Sequence, residues 1–359
     1  MKIGILSMQK IPNYGSFLQA LSLKMQLEQR GHDVYFVDIL PGKQIVSAQA
    51  SASDSMLKKL DKYALKRIEN YLLHRRMCKI HTEDQIAYLQ TEKQLPDGSK
   101  FDLVIIGSDE VFNATVPSGW GFSQQLFGKV ENTDRVVTYA ASCGSTTYDS
   151  AAQYGIIPEL RDAMKNLGSL SVRDYNTEDF VRRITGREAE RHVDPVFLSD
   201  FDPFIPQVSK RKPYLLVYAY PNRICQEEEI FAIRKYAKAH GLDIVSVGMQ
   251  QRWCKHNIPA TGFELLGYVK NAACVVTDTF HGTVFSIKYN KKFVSLIRDS
   301  NSNKLGGLLK QFDLYNRAVK DNRSLTHIMD TSIDYDAVNN RIRQEQQKAY
   351  AYLDRITGE

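Results

Sequence analysis

The chain has no apolar run approaching the roughly twenty residues that a spanning helix needs, which excludes an integral membrane protein of the helical kind. Its five cysteines (Cys78, Cys143, Cys225, Cys254, Cys274) are odd in number and scattered, with no CxxC pair and no Cys/His ligand spacing. Neither a disulfide framework nor a zinc site is implied, and the thiols fit a reducing cytoplasm. A charged leader with a cleavage site is also missing: Met1-Lys2 runs straight into "IGIL", which reads as a first strand, so the expectation is a cytoplasmic protein. Internal repeats, low-complexity tracts and recognised nucleic-acid-binding motifs are absent too, so no nucleic-acid partner is expected.

What is present is a length of 359 residues, more than one hydrophobic core usually supports, so two domains with a cleft between them are expected. The net charge of +6 is concentrated. Between Leu57 and Ile80 stand eight Lys/Arg and two acids, a local excess equal to that of the whole chain. Apolar Leu57, Leu60, Ala64, Ile68, Tyr71 and Leu72 recur there at helical spacing, which predicts a basic amphipathic helix. Two readings stand: a helix packed on its own domain with a solvated charged face, or one that docks on an anionic membrane surface or a lipid-linked phosphate.

Strand and helix patterns alternate along the chain. "KIGIL", "DVYFVDI", "FDLVIIG" and "RVVTYAAS" are strands of the first half; "PYLLVYAY", "LDIVSVG", "ACVVTDT" and "FVSLI" are strands of the second. Continuous apolar strands separated by helical segments imply parallel sheets covered on both faces. The proline-rich "DFDPFIPQVSKRKP" reads as a linker. The expected fold is α/β, two Rossmann-like domains facing across a cleft in a GT-B-like arrangement. Residues 1–205 form the first domain, 206–330 the second, and a helix in 331–359 packs back on the first.

In such sheets ligands bind beyond the carboxyl ends of the strands, where loops lead into helix N-termini. After the first strand come Asn13, Tyr14 and Gly15, with Ser16 as the expected N-cap and free N–H groups for an anion or a sugar hydroxyl. "FDLVIIGSDEVFN" delivers Ser108, Asp109, Glu110 and Asn113 at a strand end; Asp109 suits either deprotonation of a hydroxyl or a turn cap. Arg173 in "SLSVRDYNTEDF" suits a two-pronged grip on carboxylate or phosphate, or an ion pair with Asp174 or Asp194. Asp194-Pro195 reads as a turn device. In "VVTDTFHGTVF" an apolar strand exits through Thr277 to Thr279 into a helix start. There Gly282 allows close backbone approach, Thr283 lies in the first turn, and His281 stands beside a candidate anion site. Histidine is the side chain best suited to move protons near neutral pH; its alternative role here is packing or capping.

"NYGSFLQA", "FDLVIIGSDEVFN", "TYAASCG", "LSVRDYNTEDF", "DPVFL", "YVKNAACVVTDTFHGTVFSIKYNKKF" and "NKLGGLLKQFDLYNR", in this order, resemble the polysaccharide pyruvyl transferase family from Met1 to about Arg317. Phe112, Thr279 and Lys304 stand where Trp, Ser and Arg are frequent in that family. The resemblance implies an enzyme that moves the enolpyruvyl group of phosphoenolpyruvate onto two hydroxyls of a sugar in surface polysaccharide biosynthesis, releasing phosphate. Phosphoenolpyruvate would be a co-substrate, with no further cofactor and no metal. It further implies His281 as acid and Asp109 as base, with Arg173, Thr279, Gly282, Thr283 and Lys304 on the phosphoenolpyruvate. Asn13, Tyr14, Gly15, Ser108 and Asn113 would face the acceptor, which the basic helix suggests is polyprenyl-diphosphate-linked at the inner membrane face. The rival is a GT-B glycosyltransferase that uses a nucleotide sugar, for which the same fold would serve.

Overall fold

A computed structural model describes residues 1–45, 64–115, 118–208, 212–298, 301–320 and 324–358. Its first sheet has strands β1 (Lys2–Leu6), β2 (Asp33–Phe36), β3 (Leu103–Asp109), β4 (Val136–Ala141), β5 (Ser171–Val172) and β6 (Glu190–Arg191) in the order β2-β1-β3-β4-β5-β6. The second has β7 (Tyr214–Tyr218), β8 (Asp243–Val247), β9 (His256–Ile258), β10 (Cys274–Thr277), β11 (Phe293–Leu296) and β12 (Ala318–Val319) in the order β12-β11-β10-β7-β8-β9. All pairings are parallel. Helices cover both faces, so the central strands β4, β7 and β10 are buried at every position, which is why they read as unbroken apolar runs.

Strand order reverses between β1 and β3 in one sheet and between β7 and β10 in the other. A crevice opens at such a reversal, because the helices on either side leave in opposite directions. The end of β3 supplies Asp109, and the segments that follow β1, β7 and β10 supply Asn13, Tyr220 and, in the first turn of a helix, His281. The two sheets therefore meet at their carboxyl ends, and one hydrophobic cluster runs from Ile3 and Phe17 through Phe263 and Phe285 to Tyr352.

The helix Tyr335–Thr357 lies against the first sheet. Tyr352 donates from its hydroxyl to the Thr138 carbonyl on β4 at 2.7 Å, Asp354 pairs with Arg30, and Arg135 donates to the Ile356 carbonyl. Tyr352, Leu353 and Ile356 are buried there.

Of the basic stretch, 57–63 lie outside the described residues and Ala64–Asp84 is helical. The expected apolar face does not pack along its whole length: Tyr71 and Leu72 are 61% and 56% exposed, beside exposed Arg75, Arg76 and Lys79. The far end docks, where buried His81 meets Tyr14 at a ring separation of 4.1 Å and Asp84 accepts from the Gly262 amide.

Candidate functional site

The helix after β1 runs Tyr14–Gln29, starting three residues earlier than a Ser16 cap requires. Asn13 is the N-cap: its Oδ1 accepts from the amides of Gly15 (2.8 Å) and Ser16 (3.3 Å), so those N–H groups are not free for an anion. Released from capping, Ser16 donates from its hydroxyl to Asp109 Oδ2 at 2.6 Å. Tyr14 is fully buried and donates to the Ala260 carbonyl of the second domain, so it bolts the domains together and does not face a ligand. Gly15 has a separate purpose. A Cβ there would lie 2.0 Å from His281 Nδ1, so the glycine is what lets the histidine ring rest on this helix.

Asp109 ends β3 with φ of 74°, a conformation costly for a non-glycine residue. It stands between Ser16 and Arg173, whose Nη2 is 3.6 Å from its Oδ1. Ser108, by contrast, turns inward and donates to the Ala140 carbonyl, which removes it from any acceptor site. Asn113 holds Glu110 in place, donating to its Oε2 at 2.6 Å. Glu110 in turn pairs at 2.6 Å with Lys304 of the second domain. Burial alone would raise the Glu110 carboxyl, but Lys304 outweighs it and holds the group below the usual carboxylate range. Burial likewise opposes the Lys304 charge, and Glu110 more than restores it.

Arg173 is buried, stacked 4.0 Å over the Phe280 ring, and donates from Nη1 to Asp194 Oδ2 at 2.8 Å. Asp194 is more than a turn former. Burial would raise its carboxyl, yet His281 and Arg173 keep it below the ordinary range. His281 Nε2 is 3.4 Å from Asp194 Oδ2, ion-pair distance without the alignment of a hydrogen bond. Two nitrogens in this cluster, Arg173 Nε and His281 Nε2, are buried and lack a hydrogen-bond partner.

The helix that carries His281 runs Phe280–Lys288 and is capped by Thr279, whose hydroxyl accepts from the Gly282 amide at 2.9 Å. Thr283 bonds to the Thr279 carbonyl and the Ser295 hydroxyl and is fully buried. The expected anion grip at Gly282-Thr283 is thus already filled from within. Gly282 is required by the preceding strand β10: a Cβ would meet Thr277 Oγ1 at 2.1 Å. Sequence reasoning missed Tyr220, which closes the site from the β7 loop and accepts from Asn13 at 3.5 Å. Its position at a strand's carboxyl end was the available signal. Among the described residues no group of three or more His, Cys, Asp or Glu is placed to hold a metal ion.

Two facing α/β domains with a charged cluster between them define a GT-B protein. The fold is similar to that of Arabidopsis thaliana UGT89C1 complexed with UDP-L-rhamnose (10% identity, TM-score 0.50, covering 98% of this chain and 97% of that one). It is similar also to Streptomyces sp. SF2575 glycosyltransferase SsfS6 complexed with thymidine diphosphate (13%, TM-score 0.50, all of both chains). A Listeria monocytogenes protein assigned as a UDP-N-acetylglucosamine 2-epimerase shares it as well (8%, TM-score 0.54, 99% and 95%). Identities this low carry the fold alone. No curated protein matches the chain in sequence. The model of the polysaccharide pyruvyl transferase family matches residues 13–300, and the chain belongs to that family.

Proposed function

We propose that the protein transfers the enolpyruvyl group of phosphoenolpyruvate to a sugar diol and closes it as a cyclic ketal. The supporting observation is the pair of unsatisfied buried nitrogens, Arg173 Nε and His281 Nε2, beside the cations of Arg173 and Lys304. A ligand with a carboxylate and a phosphate supplies the acceptors that these groups lack. Arg173 takes the carboxylate and Lys304 the phosphate, each exchanging an internal acid partner for the substrate.

His281 protonates the methylene carbon while the first sugar hydroxyl adds to the neighbouring carbon and passes its proton to Asp109. The carbon–phosphate oxygen bond then breaks, and the second hydroxyl attacks the same carbon. Of the two hydroxyl protons, one is balanced by the new methyl group and one leaves with phosphate. Asp194 keeps a negative charge behind the imidazole, and Ser16 orients Asp109.

Calorimetric titration with phosphoenolpyruvate tests the donor without knowledge of the acceptor. Arg173→Lys keeps a charge against Asp194 but loses the fork, so binding should weaken about tenfold or more, the scale of one charged hydrogen bond. His281→Gln should retain binding and lose about 10²–10⁴ in turnover. Binding of nucleotide sugars without any response to phosphoenolpyruvate would replace this reading by the glycosyltransferase one. The acceptor in this proposal is a polyprenyl-diphosphate sugar, reached by docking the Ala64–Asp84 helix on the anionic inner face of the membrane. No described helix is long and apolar enough to cross it.

A further inference from the structure

Away from the charged cluster, a cavity of about 440 Å³ opens at the carboxyl ends of β1 and β2. Its walls come from the loop Ser7–Pro12, from Asp38 and Ile39, and from Trp120. The volume falls within the range of small-molecule sites, which run from about 300 to 1,000 Å³. The loop is held in shape before any ligand arrives. Gln9, 1% exposed, donates to the Val37 carbonyl at 2.8 Å and accepts from the Ser7 amide at 3.2 Å, tying the β1 loop to the chain beyond β2. Ser7 adds a bond from its hydroxyl to the Ser108 carbonyl.

Both anchors lead to the reactive cluster. Ser108 precedes Asp109, and Pro12 precedes Asn13, which caps the helix that carries Gly15 against His281 and Ser16 against Asp109. The cavity wall is therefore tied to the proposed base by two routes: from Ser7 through its bond to Ser108, which precedes Asp109, and from Pro12 and Asn13 through the helix start to Ser16, which bonds to Asp109.

Its chemistry is divided. Ile11, Ile39 and the half-buried Trp120 make an apolar side packed on the core of the first domain. At the mouth Lys10 and Asp38 form an exposed pair at 2.6 Å, which leaves two ammonium N–H groups and carboxylate lone pairs for any hydroxyl that approaches. An apolar wall that includes an aromatic side chain, edged by paired opposite charges, complements a pyranose, whose faces are C–H and whose edge is hydroxyl. The balanced charge of the pair gives no preference for an anion.

We propose that this cavity is the subsite for a neutral pyranose of the acceptor, with Trp120 as its platform and Lys10 and Asp38 reading its hydroxyl edge. This rests on the pyruvyl-transfer reading for the role of the sugar, but not for its binding. The chain has only two tryptophans, so Trp253→Phe leaves Trp120 as the sole indole reporter. Methyl glycosides of glucose, galactose, mannose and N-acetylglucosamine are titrated at millimolar concentrations while emission is followed. If Trp253→Phe does not fold, the difference between wild type and Trp120→Phe gives the same signal.

A saturable change with at least one glycoside, weakened about tenfold by Asp38→Ala, is expected; tenfold corresponds to about 1.4 kcal/mol of lost contact. No change with any glycoside, in protein that still binds phosphoenolpyruvate by calorimetry, overturns the subsite and leaves the donor reading intact. Glycoside binding without phosphoenolpyruvate binding does the reverse.

Discussion

At His281 a single absent atom decides the geometry. The ring fits because residue 15 has no Cβ, so Gly15→Ala pushes the imidazole off the helix and away from Asp194. Displacing a catalytic group by about 1 Å costs about a hundredfold. Gly15→Ala should therefore lower kcat by that order with little change in phosphoenolpyruvate affinity, as steady-state kinetics paired with calorimetry would show; an unchanged kcat would remove His281 from the chemistry. Two other histidines matter to stability. His81 and His192 are buried, and desolvation pushes each down from an ordinary 6.5 to about 4. The folded state thus prefers them neutral, and the unfolded chain binds the proton first as pH falls. Their contribution is intact above about 6.5 and is lost between 6.5 and 4, by about 3 kcal/mol each. Urea unfolding at pH 7.5, 6 and 5 should show this decline, and His192→Gln should make it shallower. A flat profile across that window would contradict the buried neutral state.

Elements show where the sequence was legible. The helix Glu227–Ala239 and the helix Tyr335–Thr357 each rest on a long amphipathic pattern, which has few alternatives. The parallel sheets followed from unbroken apolar strands for the same reason. Short elements such as β5, β6 and β12, with two residues each, leave no period to read. At the site, residue types were legible, but of their partners only the Arg173–Asp194 pair was among the alternatives read. Ser16 was expected to cap, but Asn13 holds that place and Ser16 instead bonds to Asp109, 93 positions away, a partner no local pattern announces. Asp194 read as a turn device, with an ion pair to Arg173 as an alternative that the structure contains; that His281 reaches it as well follows only from the tertiary fold. Gly282 and Thr283 pointed to an anion, yet Thr279 had already capped that helix. The Ala64–Asp84 helix makes its own prediction. With Tyr71 and Leu72 exposed among cations, the protein should sediment with vesicles containing anionic lipid, and about 0.5 M salt should release much of it as the Debye length shrinks. Arg75→Glu with Arg76→Glu should abolish the effect; sedimentation indifferent to both salt and charge reversal would rule out this docking face.

For the whole molecule, the decisive fact is that the chain crosses between domains twice. It passes from β6 to β7, and returns before Tyr335 to lay a helix on the first sheet. That helix also grips the first crossing, with Gln346 donating to the Phe197 carbonyl and Tyr350 to that of Leu198. A cut engineered into 209–211 should thus leave two fragments that copurify, because the second carries the helix that belongs to the first. Fragments that separate on gel filtration without denaturant would show that this docking is weak. The same helix imposes an order on synthesis. Domains generally fold as they leave the ribosome, the earlier one first. Here the earlier one lacks Tyr352, Leu353 and Ile356 until the later one has been made, so the sheet begun first is finished last, and its bare face is what a nascent-chain chaperone would meet for most of translation.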